Sequence, residues 1–416
     1  MIRNLSVPES AFTFCNEHLP LSAVIVIHLH ATLTLPTLAA ALDNLQSRHS
    51  LLQASIRHRK GRYFFEKLPA PSPIPLSAAP RIHETSWETE TEKALNSYFD
   101  PNGPLLRCVY VHNSSPASEI LLILHHAIID GISARLILSD FLKLLGGQKL
   151  AHLHHLNQSH GVPPEFRGLP GLKRKMAFMV RQFADEFAFA LNGEKPAIPP
   201  HSENGVVCFT LDEDCSQKIL KKAGEMGISI NSLIGAAMLH ALYPDTLNTK
   251  SSPRRAVFFA DMRAKMDPPV PPLALGCYVS MARFSVNILP GDAVSVTAKK
   301  LWERIFAAGK KGEFILYAMM SLQVMKAMLT LKKLRMADTA LSYIGQLDIH
   351  PQYGDIAVKD IKAFITNNRF GPKFTAFALC VFGCIGVDMN FLKAEFSHEE
   401  AQVLANRTRK LLEEFA

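Results

Sequence analysis

Apolar runs of strand length alternate along this chain with stretches whose apolar residues recur at helical spacing. Leu21 to Leu33 reads as a strand and Leu35 to Gln46 as a helix. Leu51 to Ile56 and Tyr63 to Leu68 read as further strands. Pro104 to Val111 alternates as a strand does, and Asn113-Ser114-Ser115-Pro116 joins it to the apolar run Ile120 to Leu124 as a hairpin. A long helical stretch covers Pro170 to Leu191, and Gly193-Glu194-Lys195-Pro196-Ala197-Ile198-Pro199-Pro200 breaks regular structure. Beyond the break come a strand at Val206 to Leu211 and helices at Asp214 to Met226 and Ser229 to Leu242. A single apolar strand at Phe374 to Val387 and an amphipathic helix at His398 to Phe415 close the chain. The pattern predicts an α/β protein with mixed sheets covered by helices. The proline-rich break divides it into residues 1–192, a linker over 193–205, and residues 206–416.

With 416 residues there is enough chain for two cores of ordinary domain size. Hydrophobic residues at 48% and charged residues at 20% place it among globular proteins. Met1-Ile2-Arg3-Asn4-Leu5-Ser6 lacks the apolar stretch of a signal peptide, and Phe374 to Val387 is too short to cross a bilayer. The expectation is a cytoplasmic protein without a transmembrane segment. Seven cysteines lack metal-ligand spacing, and their odd count points to reduced thiols. Cys380 and Cys384 would share one face of the Phe374 strand, and all seven read as small buried hydrophobes.

The net charge is +8. No basic-aromatic module or zinc finger accompanies it, so nucleic acid is not expected as a partner. Acidic partners such as coenzyme A phosphates or an acyl carrier protein are compatible with the charge. Lys173-Arg174-Lys175 with Arg181 is the densest basic patch and reads as a solvated helix face.

The chemistry is concentrated after the run Ile120 to Leu124, in His125-His126-Ala127-Ile128-Ile129-Asp130-Gly131-Ile132-Ser133. A histidine closes a buried strand, a carboxylate follows four positions on, Gly131 permits a close turn, and Ser133 is placed to cap the next helix. Neighbouring strand residues point to opposite faces, so His125 and His126 would not share a metal ion, and no metal site is expected.

This stretch resembles the HHxxxDGxS signature of the condensation-domain acyltransferases, which are similar in fold to chloramphenicol acetyltransferase. Other landmarks follow in the family's order: Arg48-His49-Ser50-Leu51-Leu52, Pro104-Leu105-Leu106-Arg107, Asp261-Met262-Arg263 and Gly276-Cys277-Tyr278. Ser342-Tyr343-Ile344-Gly345 resembles a late segment that lines the cleft, although Tyr343 departs from the family's usual residues. The resemblance implies two acetyltransferase-like halves in a V-shaped pseudo-dimer with a tunnel between them. It implies His126 as the catalytic base, with His125, Asp130, Gly131 and Ser133 structural at the site. Asp130 would pair with an arginine, for which Arg263 is the candidate. Ser342, Tyr343 and Gly345 would line the cleft.

The implied reaction moves an acyl group from a thioester to an alcohol, forming an ester without a covalent acyl-enzyme. No GxSxG elbow is present. The donor would be an acyl carrier protein or acyl-CoA, that is, an acyl thioester on phosphopantetheine or coenzyme A. The acceptor would be a small alcohol or amine, no cofactor would stay bound, and the protein would be a monomer. Length and the opening Ile2 to Ser6 look like the polyketide-associated O-acyltransferases of the phthiocerol dimycocerosyl transferase type. Amide formation on a free amine, or an inactive relative that binds a carrier protein or lipid, are the alternatives. His28 and His30 share a strand face, and His152, His154, His155 and His160 form a histidine-rich loop that reads as solvated. Met319, Met320, Met325 and Met328 form a stripe that suits core packing or an acyl-chain path.

Overall fold

The apolar run that ends in the histidine pair becomes a central strand, buried along nearly its whole length and hydrogen-bonded on both sides. The computed structural model describes residues 2–68, 72–100, 102–153, 160–192, 202–243, 253–289, 291–330 and 335–416. In chain order the first strands are β1 (Arg3–Asn4), β2 (Ser22–His30), β3 (Ala54–Arg59), β4 (Arg62–Lys67), β5 (Leu76–Pro80), β6 (Leu106–His112) and β7 (Ala117–His125). They are followed by β8 (Asn204–Thr210), β9 (Pro253–Asp261), β10 (Val279–Asn287), β11 (Thr339–Gln346) and β12 (Gln352–Tyr353). The last three are β13 (Ile356–Ile365), β14 (Phe374–Val381) and β15 (Cys384–Leu392). The helices begin with α1 (Val7–Asn16), α2 (Leu35–Arg48), α3 (Ser86–Leu95), α4 (Gly131–Leu145) and α5 (Gly168–Asn192). Then come α6 (Glu213–Glu225), α7 (Ile230–Leu242), α8 (Val294–Lys310), α9 (Glu313–Thr330) and α10 (His398–Phe415).

Two compact units result. The first comprises Met1–Gly161, Pro268–Tyr278 and Gln346–Thr366, and the second Val162–Asp267, Val279–Gly345 and Asn367–Ala416. Two segments beyond the expected 193–205 boundary thus belong to the first unit. One reason is direct: β13 pairs antiparallel with β2 along nearly its whole length and so joins the first sheet. Residues 193–201 of the expected linker lie outside the described residues, and β8 already begins at Asn204.

The first unit is built on a six-stranded mixed sheet in the order β12-β13-β2-β7-β6-β5, with a small sheet β1-β4-β3 beside it. Val24, Val26 and Ile27 of β2 and Leu121, Leu122 and Leu124 of β7 are essentially inaccessible. At about 1.5–3 kcal/mol for each fully buried aliphatic side chain, this pairing is a major source of the unit's stability. The second unit carries the order β10-β9-β11-β14-β15-β8. Its core collects Phe258, Phe374, Phe391, Leu239 and Leu412. Helix α7 is apolar on nearly all sides and is correspondingly buried.

The expected strand over Phe374 to Val387 is in fact a hairpin. Phe382 and Gly383 adopt left-handed φ values of 49° and 86° and turn β14 into β15. Two consecutive positive-φ residues are the geometry of a tight two-residue turn that matches strand twist. Apolar residues on both strands hid the turn, since both are buried. Cys380 and Cys384 therefore sit on different strands, opposite Ile385 and Val381. All seven cysteines are thiols rather than disulfides, with Cys208, Cys215 and Cys384 only half-buried. Met319 and Met320 pack against the second core and Met328 is buried, as core packing requires. None of the described helices is long and apolar enough to cross a membrane.

Candidate active site

Strand β7 ends at His125, and the chain then tightens into a 3-10 turn over His126–Ile128. Only the first histidine is a strand residue, so the pair is separated by this change of backbone rather than by the strand alternation expected from the sequence. The His125 Nδ1 accepts a hydrogen bond from the Ala127 backbone N–H at 3.1 Å, which leaves the ring hydrogen on Nε2. Its ring meets Phe99 edge-on at 5.6 Å. Burial, with His126 adjacent, lowers its pKa to about 3, so the ring is neutral.

His126 is held differently. Its Nδ1 lies 2.9 Å from the Ile129 carbonyl oxygen. A carbonyl can only accept, so Nδ1 carries the hydrogen and Nε2 keeps its lone pair. Among the described residues no hydrogen bond engages Nε2. The Phe12 ring stacks on the imidazole at 4.1 Å and 8°. Burial depresses the His126 pKa, opposed by its backbone hydrogen bonds and by the charge of Asp130. A neutral imidazole with an unengaged Nε2 is competent to take a proton.

Asp130 does the work expected of Ser133. Its backbone is extended, it is the N-cap of α4, and its Oδ1 accepts from the Ser133 N–H at 2.9 Å. The second oxygen, Oδ2, accepts from the Tyr278 N–H at 2.7 Å. The Ser133 hydroxyl in turn donates to the Gly276 carbonyl at 2.8 Å and accepts from the Gly276 N–H at 3.2 Å. Asp130 caps because it is the last non-helical residue, whereas Ser133 already lies inside the first turn. Gly131 is the first residue of α4. Together Asp130 and Ser133 fasten the Gly276–Tyr278 backbone to the start of α4.

The N-terminal side of the site was missed by sequence reasoning. Arg3 and Glu9 form a buried two-point ion pair, both contacts at 2.7 Å, and Glu9 also accepts from the Cys277 N–H at 3.3 Å. Glu9 closes a capping box with Ser6 at the start of α1, the helix that presents Phe12 to His126. Ser6-Val7-Pro8-Glu9 is a capping signature visible in the sequence, and it marks α1. Gly276 sits within this knot at φ 151°, where an added Cβ would come within 2.6 Å of the Tyr278 ring.

The remaining candidates lie in the second unit. Arg263 is buried and donates to the Asp261 carboxylate at 3.0 Å. Ser342, Tyr343 and Gly345 lie along β11, all half-buried. Ser342 is within the strand rather than at a turn, and its hydroxyl makes no hydrogen bond to backbone among the described residues. Tyr343 packs against the second core, and burial raises its phenol pKa. His28 faces Glu119 and Trp87, His30 is exposed, and His160 bonds the Pro268 carbonyl. His154 and His155 lie outside the described residues.

Comparison with known proteins places the chain in a family. Residues 21–416 match the model of the condensation domain, and the chain belongs to that family. Polyketide synthase associated protein 5 from Mycobacterium tuberculosis superposes with a TM-score of 0.69 at 18% identity, over 99% of this chain and 97% of its own. A trichothecene 15-O-acetyltransferase from Fusarium sporotrichioides superposes with a TM-score of 0.77 at 13% identity, over 99% and 95%. A plipastatin synthase from Bacillus subtilis is 26% identical over 216 residues, which is 51% of this chain but 8% of that much longer protein. Family membership supports an acyl-transferring enzyme.

Proposed function

We propose that the protein transfers an acyl group from a thioester, carried on an acyl carrier protein or coenzyme A, to a hydroxyl group, forming an ester. The observation that carries this reading is the His126 ring, with Nδ1–H bound to the Ile129 carbonyl and Nε2 left to act. Nε2 takes the acceptor's hydroxyl proton as the oxygen attacks the thioester carbonyl. The new C–O bond forms, the C–S bond breaks, and the same proton passes from Nε2 to the departing thiolate, restoring the neutral ring. No acyl-enzyme intermediate is needed. Asp130 acts as a positioning residue, since both of its oxygens accept backbone N–H groups.

The ester outcome draws support from the O-acetyltransferase among the structural neighbours. Amide formation is the second reading, favoured by the sequence match to a plipastatin synthase. Thiol release from an acyl-CoA, measured alone and with panels of alcohols and of amines, tests both. Release that depends on an alcohol supports the proposal, release that depends only on an amine supports the second reading, and no acceptor-dependent release overturns both.

A further inference from the structure

Helix α5 is amphipathic the wrong way round for a core helix. Its inward side is largely polar: Gln182 accepts from Tyr317 at 2.7 Å, Asp185 accepts from Arg255 at 2.8 Å and from Ser285 at 3.0 Å, and Glu186 pairs with Arg255 and Arg283. Phe178 is the apolar residue buried with them, edge-on to Tyr317 at 4.7 Å. The outward side is apolar instead. Leu169, Leu172, Met176, Val180, Phe183 and Phe187 are 54–74% exposed, and Met179 adds a seventh at 47%.

Their spacing of three and four residues sets them on one stripe, within an arc of about 100° and over roughly 27 Å of helix. Lys173 and Lys175 flank the stripe, and the chain as a whole carries +8. Large, contiguous, exposed apolar faces mark interaction sites. A straight stripe of flexible and aromatic side chains offers few polar groups to orient a folded partner. It suits an apolar medium without fixed shape, edged by negative charge.

We infer that α5 lies along an anionic lipid surface, its apolar stripe in the headgroup–acyl boundary and its lysines against lipid phosphates. Interfacial helices have this composition: large apolar residues on one face and lysine and arginine at the margins. The polar inner side of α5 then has a clear role. It fastens the helix to the second unit by ion pairs while the apolar side stays available.

Co-sedimentation with vesicles tests the inference. The protein should bind vesicles of mixed phosphatidylglycerol and phosphatidylcholine, bind those of phosphatidylcholine alone more weakly, and lose affinity as salt rises. Phe183→Ser with Phe187→Ser should lower the partition coefficient at least about tenfold. Because both side chains are exposed, its melting temperature should match that of the parent. Lys173→Glu with Lys175→Glu should weaken binding to the anionic vesicles alone. The inference is overturned if the parent binds neither vesicle, or if the serine variant partitions as the parent does. It is also overturned if vesicles are not bound and the stripe is instead required for a dimer seen by light scattering, or for binding a purified acyl carrier protein.

Discussion

The Nδ1 of His126 donates to the Ile129 carbonyl at 2.9 Å, across a single 3-10 turn. This short-range bond decides which nitrogen of the ring can act as a base, and the decision is made by backbone rather than by a carboxylate. Asp130, four residues along, is occupied with the N–H groups of Ser133 and Tyr278. Under the proposed mechanism the proton-handling and loop-holding tasks of the motif are divided between His126 and Asp130.

With His126 as the proposed base, His126→Ala should lower turnover by about a hundredfold to ten-thousandfold. The fold should remain, as circular dichroism will show. His125→Ala should act mainly on stability, because it leaves the Ala127 N–H without its acceptor and opens space beside Phe99. A cost of about 1–3 kcal/mol is expected. Paired measurement of acyl transfer and thermal melting separates the two roles, and a folded His126→Ala enzyme with parental turnover would remove the general base from the mechanism.

The pH profile of kcat/KM should reflect the depressed pKa of His126. A base works deprotonated, so a lowered pKa extends the active plateau toward acid. The acid limb should fall below the ordinary imidazole value of 6.5. A limb at or above that value would mean that the group titrating is not this buried ring.

Asp130→Asn should cost stability and part of the turnover, and loss of its charge should move the acid limb slightly further toward acid. A carboxylate accepts on both oxygens, but an amide has one accepting oxygen and one donating NH2. One of the Ser133 and Tyr278 N–H groups must then face another donor, at about 1–3 kcal/mol. Loss of the acid limb in this variant would instead make Asp130 a proton-transfer group.

Removing half of the Arg3–Glu9 pair should be worse than removing both halves. The two residues are only 6% and 0% exposed, so Glu9→Gln or Arg3→Met leaves an uncompensated charge. The cost of such a broken buried pair is about 3–5 kcal/mol. The double variant Arg3→Met with Glu9→Leu should recover much of that loss. Urea melts of all three proteins check the coupling, and additive losses would mean that the pair contributes no mutual stabilisation.

Acid should destabilise the fold through His125. Its folded pKa of about 3 lies below its ordinary 6.5, so protonation favours the unfolded chain. The stability it contributes is complete above about pH 6.5 and is lost progressively as the pH falls toward 3. His125→Ala should flatten this dependence, which melting temperatures across the acid range will show.

What could be read from the chain alone was local. The α/β class followed from the alternation of apolar runs and helical spacing, and the family from HHxxxDGxS with its ordered landmarks. The end of β7 at His125 was written in the polar residues that follow Leu124. Three features were not legible. The turn at Phe382–Gly383 was masked because the strands on both sides are buried, which removes the polar alternation that marks a hairpin. The second oxygen of Asp130 finds Tyr278, 148 residues away, and Gly276 meets Ser133 across 143. No local pattern encodes partners at that distance, since they are chosen by which backbone the folded unit delivers to the unsatisfied acceptor. The orientation of α5 was hidden for the same reason. Its sequence shows an apolar stripe, but only the arginines of β9 and β10, gathered by sheet pairing, draw its polar side inward and leave the stripe outside.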